Sequence, residues 1–136
     1  MTADLPKPRP VPTPVSQPFW DALHDERIVL QHCAACGAWV YYPRARCPRC
    51  LSDELPWEPV SGSGTVFTFT LAAQPTAPPF ADEVPQLIAI VELDEGVRVT
   101  STIVGVPADV RIGAPLEPVF DHGDDGITLL RFRLAG

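Results

Sequence analysis

The 136-residue sequence predicts a mainly β protein, with a short N-terminal helix, a zinc ribbon and a C-terminal β-barrel of the OB type. Three observations lead to this fold class. Six prolines fall within the first eighteen residues, all four cysteines lie between positions 33 and 50, and short apolar runs alternate with turn residues from position 61 onwards. We therefore divide the chain into an extended arm (1–15), a helix with a lead-in strand (16–30), a zinc ribbon (31–60) and a barrel (61–136).

The composition excludes several classes of protein. With 46% hydrophobic residues the chain suits one domain of ordinary size, and its formal charge of −7 disfavours a general nucleic-acid binder. No apolar run approaches the roughly 20 residues that a membrane span needs. The N-terminus also lacks the apolar core of a secretory signal. We therefore expect a cytoplasmic protein that does not contact membranes.

The prolines of the first segment predict an extended arm. Because each proline fixes φ near −65° and removes an N–H donor, Leu5–Val15 can be neither helix nor central strand. Two interpretations stay open. The arm is either a disordered linker from a larger chain, or a stiff segment that lies across a partner protein and places Pro14 among the contact residues.

A short helix is expected after the arm. Ser16 suits the N-cap and Pro18 suits the first turn, and the helix should end between His24 and Arg27. Its apolar stripe consists of Phe19, Trp20 and Leu23. Two aromatic side chains on so short a helix need to be buried, either on this domain's own core or on another subunit. Phe19 and Trp20 are therefore candidate partner contacts.

The four cysteines carry the strongest chemical signal. Cys33-Ala-Ala-Cys36 is followed ten residues later by Cys47-Pro-Arg-Cys50, so four thiolates can surround one tetrahedral metal ion. Gly37 follows the first pair, where such a turn needs a positive φ. The segments Arg27–His32 and Ala38–Tyr42 are expected to form the strands of a hairpin next to the pairs.

Zinc is the expected metal, although iron has the same tetrahedral sulfur geometry and is not distinguished by spacing. Disulfides are disfavoured in a cytoplasmic chain, and a redox dithiol needs one pair at a helix N-terminus. Four cysteines close the coordination shell, so the ion is structural and His32 is not needed as a ligand.

Basic and aromatic residues alternate around the cysteines. Between Gln31 and Cys50 there is no acidic residue, and the sequence places here Arg44, Arg46 and Arg49 together with Trp39, Tyr41 and Tyr42. The arginines either offset the charge of a zinc tetrathiolate, or bind an anionic ligand such as coenzyme A or an acidic partner. A platform for single-stranded nucleic acid is the third interpretation.

The second half of the chain predicts the barrel. The expected strands are Thr65–Leu71, Leu87–Leu93, Val97–Val104, Val110–Ile112, Leu116–Phe120 and Ile127–Leu134. About five strands with glycine bends fit an OB-type Greek-key barrel, and an SH3-like barrel or open sandwich would give a similar pattern. The loop Ala72–Gln86, with Phe80 at its tip, is either a second partner surface or an ordinary connection. Ten acidic residues against four arginines from position 61 onwards disfavour a phosphate-binding face.

No catalytic constellation is recognisable in the sequence. The three histidines, His24, His32 and His122, belong to different predicted elements, and the sequence has neither a nucleophile elbow nor a phosphate-binding glycine loop. We therefore expect no independent catalysis.

A set of motifs in this order resembles a known family. The set is Pro18-Phe19-Trp20, Cys33-x-x-Cys36-Gly37, Pro43-Arg44, Cys47-Pro48-x-Cys50, Gly64-x-Val66 and Val91-Glu92-Leu93-Asp94-Glu95-Gly96. From about residue 14 the chain resembles the zinc-ribbon/OB-fold family known as domain of unknown function 35. The resemblance implies a rubredoxin-like zinc ribbon joined to an OB-fold. It also implies an auxiliary role in acyl-CoA metabolism beside thiolase-like enzymes and MaoC-type enoyl-CoA hydratases.

The chain looks especially similar to the auxiliary domain that partners a lipid-transfer-protein-like aldolase in bacterial steroid side-chain degradation. The leading hypothesis is therefore a noncatalytic, zinc-stabilised accessory subunit of a thiolase-superfamily enzyme, with the Pro-rich arm as the tether from a hydratase domain. The first alternative is an acyl-CoA carrier that holds the coenzyme A phosphates with Arg44, Arg46 and Arg49. The second is a single-stranded nucleic-acid module.

Overall fold

The computed structural model describes residues 7–75 and 77–136, so residues 1–6 of the predicted arm and Thr76 of the predicted loop lie outside it. Its regular elements are α1 (Gln17–His24), β1 (Ile28–His32), β2 (Trp39–Val40), β3 (Trp57–Val60), β4 (Gly64–Ala72), β5 (Gln86–Leu93), β6 (Arg98–Val104), β7 (Pro115–His122) and β8 (Thr128–Leu134). Two 3-10 turns cover Pro78–Glu83 and Pro107–Asp109. No helix in this described part of the chain is long and apolar enough to cross a bilayer.

The ribbon is a three-stranded antiparallel sheet with β1 in the middle, in the order β2-β1-β3. The third strand was not expected from the sequence, because β3 is short and contains Pro59, which fits only an edge strand. The second strand is shorter than the predicted Ala38–Tyr42. Tyr41 and Tyr42 leave the sheet to pack edge-on against Phe19 of α1, with ring centroids 5.9 and 6.1 Å away.

The second half of the chain forms a closed five-stranded barrel in the order β4-β5-β6-β8-β7, which confirms the predicted OB-type architecture. Neighbouring strands are antiparallel except β6 and β8, which run parallel and pair only at Ile103–Phe132 and Val104–Arg133. The barrel closes where Gly64 of β4 pairs with Leu116 of β7. The two strands of the β6–β8 seam are therefore joined at one end only.

Alternating burial explains why these residues form strands. In β5 the apolar side chains Leu87, Ala89, Val91 and Leu93 point inward, and every second residue is partly exposed. The following turn is the predicted hairpin, in which Gly96 adopts a φ of +95° and donates its N–H to the Leu93 carbonyl.

One predicted strand is absent. Residues Val110–Ile112 do not pair with any described strand; they follow the 3-10 turn that begins at Pro107. Val110 is buried but Ile112 is exposed, and Gly113, with a φ of +87°, reverses the chain immediately afterwards. The apolar run is therefore an anchored bend, because the turns on both sides leave no length for a ladder.

The ribbon, the helix and the barrel share one hydrophobic core. Phe19 and Leu23 of α1 and Ile28 and Leu30 of β1 belong to the same buried cluster as the inward side chains of the barrel. A glycine marks the junction, because a Cβ on Gly62 would lie 2.8 Å from Ile28 Cδ1 and 3.0 Å from a Pro118 carbon. The two halves therefore pack as one body.

The described part of the arm, residues 7–13, has neither helix nor strand and lies along the chain's own barrel. Lys7 Nζ is 2.6 Å from Glu83 of the 3-10 turn. Arg9 donates from Nε to the Asp125 carboxylate (2.9 Å) and from Nη2 to the Ile127 carbonyl (3.1 Å). The Arg9 side chain is the main reason why the pKa of Asp125 falls to about 2, so this ion pair persists well into the acid range.

The helix begins at the expected place but is capped differently. Ser16 is the N-cap residue and a proline occupies the first turn, yet the Ser16 side chain makes no capping hydrogen bond. Its Oγ instead accepts the Thr13 N–H (2.9 Å), which joins the end of the arm to the start of α1.

We predict that Gly64→Ala destabilises the barrel by about 1–3 kcal/mol, the usual range for overpacking a well-packed interior. A Cβ at this position would lie 2.5 Å from the Glu92 carbonyl oxygen, which belongs to the paired backbone of β5 and cannot move aside. Chemical denaturation monitored by circular dichroism measures the change. The control is Ser63→Ala, at the exposed neighbouring position. Equal stability of both variants and the wild type would contradict the proposed close approach.

Candidate metal centre and neighbouring surfaces

Two turns of the same construction present the four cysteines, and we call them the first knuckle (Cys33–Gly37) and the second knuckle (Cys47–Leu51). In the first, the Gly37 N–H donates to the Cys33 carbonyl at 2.9 Å. In the second, the Leu51 N–H donates to the Cys47 carbonyl at 2.8 Å. Each turn therefore directs both of its thiols to the same side, and the strands β1 and β2 bring the two turns together.

The sulfur atoms form a compact cluster. Cys33 Sγ lies 3.6 Å from Cys50 Sγ, Cys36 Sγ lies 3.7 Å from Cys47 Sγ, and all four sulfurs are within 4.8 Å of one another. Four sulfurs at Zn–S distances of about 2.3 Å are separated by about 3.8 Å at tetrahedral angles. The sulfur positions therefore match the edge length of a tetrathiolate shell.

The thiols of the cluster differ in acidity. The backbone N–H of Cys36 is the main reason why the pKa of Cys33 falls to about 7. Burial opposes ionisation of Cys47, but the N–H groups of Cys50 and Arg49 outweigh it and lower the pKa of that thiol.

Cys50 has the opposite character. The N–H of Ser52 favours its thiolate, but burial and the other three thiols together raise the pKa of Cys50 to about 12. Four thiolates so close together cannot all ionise at neutral pH unless a cation lies between them. The cluster therefore has the ligands, the spacing and the charge requirement of a divalent metal site, and iron fits the same geometry.

The coordination sphere is complete without a histidine. His32 lies next to Cys33 in the chain, but its Nδ1 is 2.8 Å from a Glu58 carboxylate oxygen and its Nε2 is 3.1 Å from the Gly37 carbonyl. Its ring stacks on Trp39 at 4.0 Å with an interplanar angle of 1°. These contacts fix the ring beside the first knuckle and leave no open metal position of the kind that a catalytic zinc keeps.

A buried glutamine holds the chain between the two knuckles. The side-chain amide of Gln31 donates to the Arg44 carbonyl at 2.8 Å and accepts the Arg44 N–H at 2.8 Å. Gln31 is only 5% exposed, so both of these hydrogen bonds are shielded from water. The residue therefore continues the pairing of β1 beyond the end of the two-residue strand β2.

The three arginines of the ribbon lie at the surface and are not gathered into one pocket. Arg46 Nη1 donates to the Leu51 carbonyl (3.2 Å), and Arg44 is held through its main chain. Among the residues that the structure describes, none of Arg44, Arg46 and Arg49 forms an ion pair. Their role in binding an anion stays a prediction, and Tyr41 and Tyr42, expected beside them, pack on α1 instead.

The predicted partner contacts have different environments. Phe19 is only 2% exposed and belongs to this chain's own core, which is the first of the two expectations for the helix. Trp20 is half-buried, and its Nε1 donates to the Tyr42 hydroxyl (3.1 Å). Pro14 is exposed, whereas Phe80 is half-buried in the 3-10 turn instead of at the tip of an open loop.

A cleft of about 330 Å³, which we call the seam cleft, lies beside the open end of the β6–β8 seam. It is lined by arm residues 7–10, by Phe19, Trp20, Leu23, Tyr41, Phe80, Glu83 and Gln86, and by barrel residues 100–102 and 129–131. Burial raises the pKa of Tyr41 in this cleft to about 12. The cleft was not expected from the sequence, because it is assembled from segments far apart in the chain and no single segment carries a motif for it.

Comparisons with known proteins cover both halves of the chain. Residues 20–56 match the family model described as the ChsH2 rubredoxin-like zinc ribbon domain. Residues 57–121 match the model described as the ChsH2 C-terminal OB-fold domain.

Among curated relatives, a DUF35 domain-containing scaffold protein of Methanocaldococcus jannaschii is 42% identical over 108 residues, which are 74% of this chain and 74% of the relative. A probable enoyl-CoA hydratase alpha subunit of Thermomonospora curvata is 34% identical over 130 residues, or 95% of this chain. The chain spans only 40% of the length of that hydratase subunit.

Among solved structures, the one described as the Ltp2-ChsH2(DUF35) aldolase superimposes with a TM-score of 0.81 at 33% sequence identity. The superposition covers 94% of this chain and 100% of the matched chain.

We predict that wild-type protein purifies with about one zinc ion per chain and that Cys47→Ser loses it, because the cysteine is buried and a hydroxyl is a poor zinc ligand. Comparable small sites contribute roughly 10–16 kcal/mol on binding, so the ribbon should also lose its hydrogen-exchange protection. Elemental analysis and exchange mass spectrometry measure both effects.

Ala35→Ser is the control for this metal experiment, since it adds a hydroxyl to the first knuckle without removing a ligand. Iron in place of zinc would show as visible absorption. A metal-free wild-type protein with a fully protected ribbon would show that the cluster folds without an ion.

Proposed function

Because the chain belongs to the DUF35 family, with a ChsH2-type zinc ribbon and OB-fold, we propose that it is a noncatalytic accessory subunit of a thiolase-superfamily enzyme. The observation that carries this proposal is the match to the chain of the Ltp2-ChsH2(DUF35) aldolase over its whole length. A match that includes both the ribbon and the barrel supports the proposal more strongly than a shared barrel alone would.

Zinc in this proposal is structural. The four cysteines use all tetrahedral positions, so the ion stabilises the ribbon and takes no part in bond breaking. The ribbon shares its core with α1 and the barrel, and the ion therefore stabilises the surface that the whole subunit presents to a partner.

The side chains support a role without turnover. Of the described histidines, His32 is held beside the first knuckle, and His122 is 3.1 Å from Glu26 and 2.8 Å from Thr128 Oγ1. His24 packs edge-on against His122 at 6.1 Å. No described histidine is paired with a serine or cysteine nucleophile, and the hydroxyl that bonds His122 belongs to Thr128, which is only 2% exposed and so is out of reach of a substrate.

The finer form of the proposal concerns the substrate. The partner would be a lipid-transfer-protein-like aldolase that cleaves a steroid β-hydroxyacyl-CoA in a retro-aldol reaction. In this reaction the bond between the α and β carbons breaks, the β-hydroxyl becomes the carbonyl of the released ketone, and the α carbon takes up a proton. This chain would hold the aldolase in its active assembly while the aldolase carries out the chemistry.

We expect the Ltp2-type aldolase of the same organism to gain at least tenfold in soluble activity when it is co-expressed with this chain. Yield, co-purification and the rate of ketone release measure the effect. The matched control is co-expression with Cys47→Ser, which should help much less because its ribbon lacks metal. An aldolase that is fully soluble and active alone would refute the accessory role.

A second function is favoured by the seam cleft and by the hydratase relative. The cleft has aromatic walls that suit an acyl chain, whereas its cations Lys7, Arg9 and Arg131 are already paired with carboxylates. In this alternative the chain carries acyl-CoA, and the exposed Arg44, Arg46 and Arg49 contact the phosphates. An upstream hydratase domain would then exchange acyl-CoA with the cleft.

Titration with a medium-chain acyl-CoA tests this alternative, with intrinsic tryptophan fluorescence and calorimetry as the two readouts. We expect micromolar binding that weakens at least fivefold in Phe80→Asp and in Arg44→Ala. Phe67→Ala is the control, because Phe67 lies under the Arg98 guanidinium (3.7 Å) and does not line the cleft. No heat and no change in fluorescence at millimolar ligand would exclude the carrier function.

A further inference from the structure

The two knuckles are closed by the same backbone hydrogen bond but differ in the residue that follows the second cysteine. Both turns end in a residue with a left-handed conformation, which is Gly37 (φ +78°) in the first knuckle and Leu51 (φ +66°) in the second. Glycine adopts this conformation readily, whereas a residue with a Cβ is disfavoured there. The second knuckle therefore has a leucine at the position where the first knuckle has a glycine.

The described fold makes little use of the leucine side chain. Leu51 is 68% exposed, so most of its apolar surface faces water. Its backbone is fixed, since the Leu51 N–H donates to the Cys47 carbonyl (2.8 Å) and the Leu51 carbonyl accepts from Arg46 Nη1 (3.2 Å). The second knuckle thus holds the Leu51 side chain towards solvent, with a strained backbone conformation that its hydrogen bonds fix.

Other exposed apolar residues lack this combination. Ile112 is also 68% exposed and Val106 is 60% exposed, but neither has a positive φ. An exposed apolar residue alone is common on protein surfaces and needs no explanation. A strained backbone conformation at an exposed site, in contrast, is typical of positions that contact a ligand, where the side chain makes its contacts in the bound state.

The charged residues close to Leu51 indicate which charge a complementary partner surface would carry. Arg49 belongs to the second knuckle and Arg46 directly precedes it; both are exposed and have no carboxylate partner among the described ion pairs. The nearest acidic residues in sequence, Asp53 and Glu54, belong to the segment that runs beside the first knuckle, where the Ala34 N–H donates to the Glu54 carbonyl. An apolar socket with an acidic rim is the complementary surface.

We propose that Leu51 is the anchor by which the second knuckle docks on the thiolase-like partner, entering an apolar socket whose acidic rim pairs with Arg46 and Arg49. The proposal rests on the accessory function above and names the surface that carries it out. Arginine is enriched in interface hot spots, and Arg46 and Arg49 both lie close in sequence to this exposed apolar side chain.

The decisive variant is Leu51→Gly, because it should leave stability unchanged or raise it while it lowers the affinity for the partner. Removing the Cβ relieves the left-handed conformation, so the zinc-loaded variant should melt at the wild-type temperature or above it. Its affinity for the Ltp2-type aldolase of the same organism should fall at least tenfold in a surface-binding assay. Leu51→Ala keeps the strain and should lose the same affinity without any gain in stability.

Two further variants complete the design. Ile112→Ala removes an equally exposed apolar side chain from the barrel and should bind the aldolase like the wild type. Arg49→Glu should weaken binding mainly through a slower association rate, and its difference from the wild type should shrink as salt is added. Zinc content is measured for every variant, so that a lost metal is not mistaken for a lost anchor.

The outcomes are distinguishable. Wild-type affinity in Leu51→Gly and Leu51→Ala overturns the anchor while leaving the accessory function in place. A wild-type chain that does not bind the aldolase overturns both. A wild-type chain that forms dimers which Leu51→Gly dissociates would show that the socket belongs to a second copy of this chain, which also overturns the proposed partner.

Discussion

The four thiols within 4.8 Å of one another are the constraint on which the rest of the ribbon depends. Their mutual repulsion raises the pKa of Cys50, whereas backbone N–H groups lower the pKa of Cys33 and Cys47. Four thiolates can therefore coexist in this cluster only when a cation lies at its centre. The ribbon strands are too short to compensate for its loss, since β2 has two residues and β3 has four.

The shared core connects the ribbon that carries the thiol cluster to the rest of the chain. Strand β1 ends at the first knuckle and buries Ile28 and Leu30 against the barrel, and α1 adds Phe19 and Leu23 to the same cluster. A ribbon on a flexible linker would present its knuckles in many orientations. Here β1, α1 and the barrel share one buried cluster, which restricts the orientation of the first knuckle and lowers the entropy lost on association with a partner.

Much of this architecture could be predicted from the sequence, because short patterns with strict geometry determine it. The cysteine spacing and the alternation in β5 are of this kind. Strand β3 has no recognisable strand pattern because Pro59 interrupts it. The apolar run Val110–Ile112 predicts a strand that does not form, because the run itself does not reveal the turns around it. The seam cleft and the left-handed Leu51 arise from tertiary packing and have no local signature.

The Gln31 amide, which bonds both main-chain groups of Arg44, imitates a peptide unit of an adjacent strand. Only a side chain with one donor and one acceptor in a plane can do this at that length. Glutamate would set an acceptor against the Arg44 carbonyl, and a hydrocarbon would leave two buried polar groups without partners. The exposed residues between the two knuckles can therefore vary, whereas position 31 must keep a side-chain amide. The path of the chain between the knuckles thus depends on a residue that neither binds metal nor fills the core.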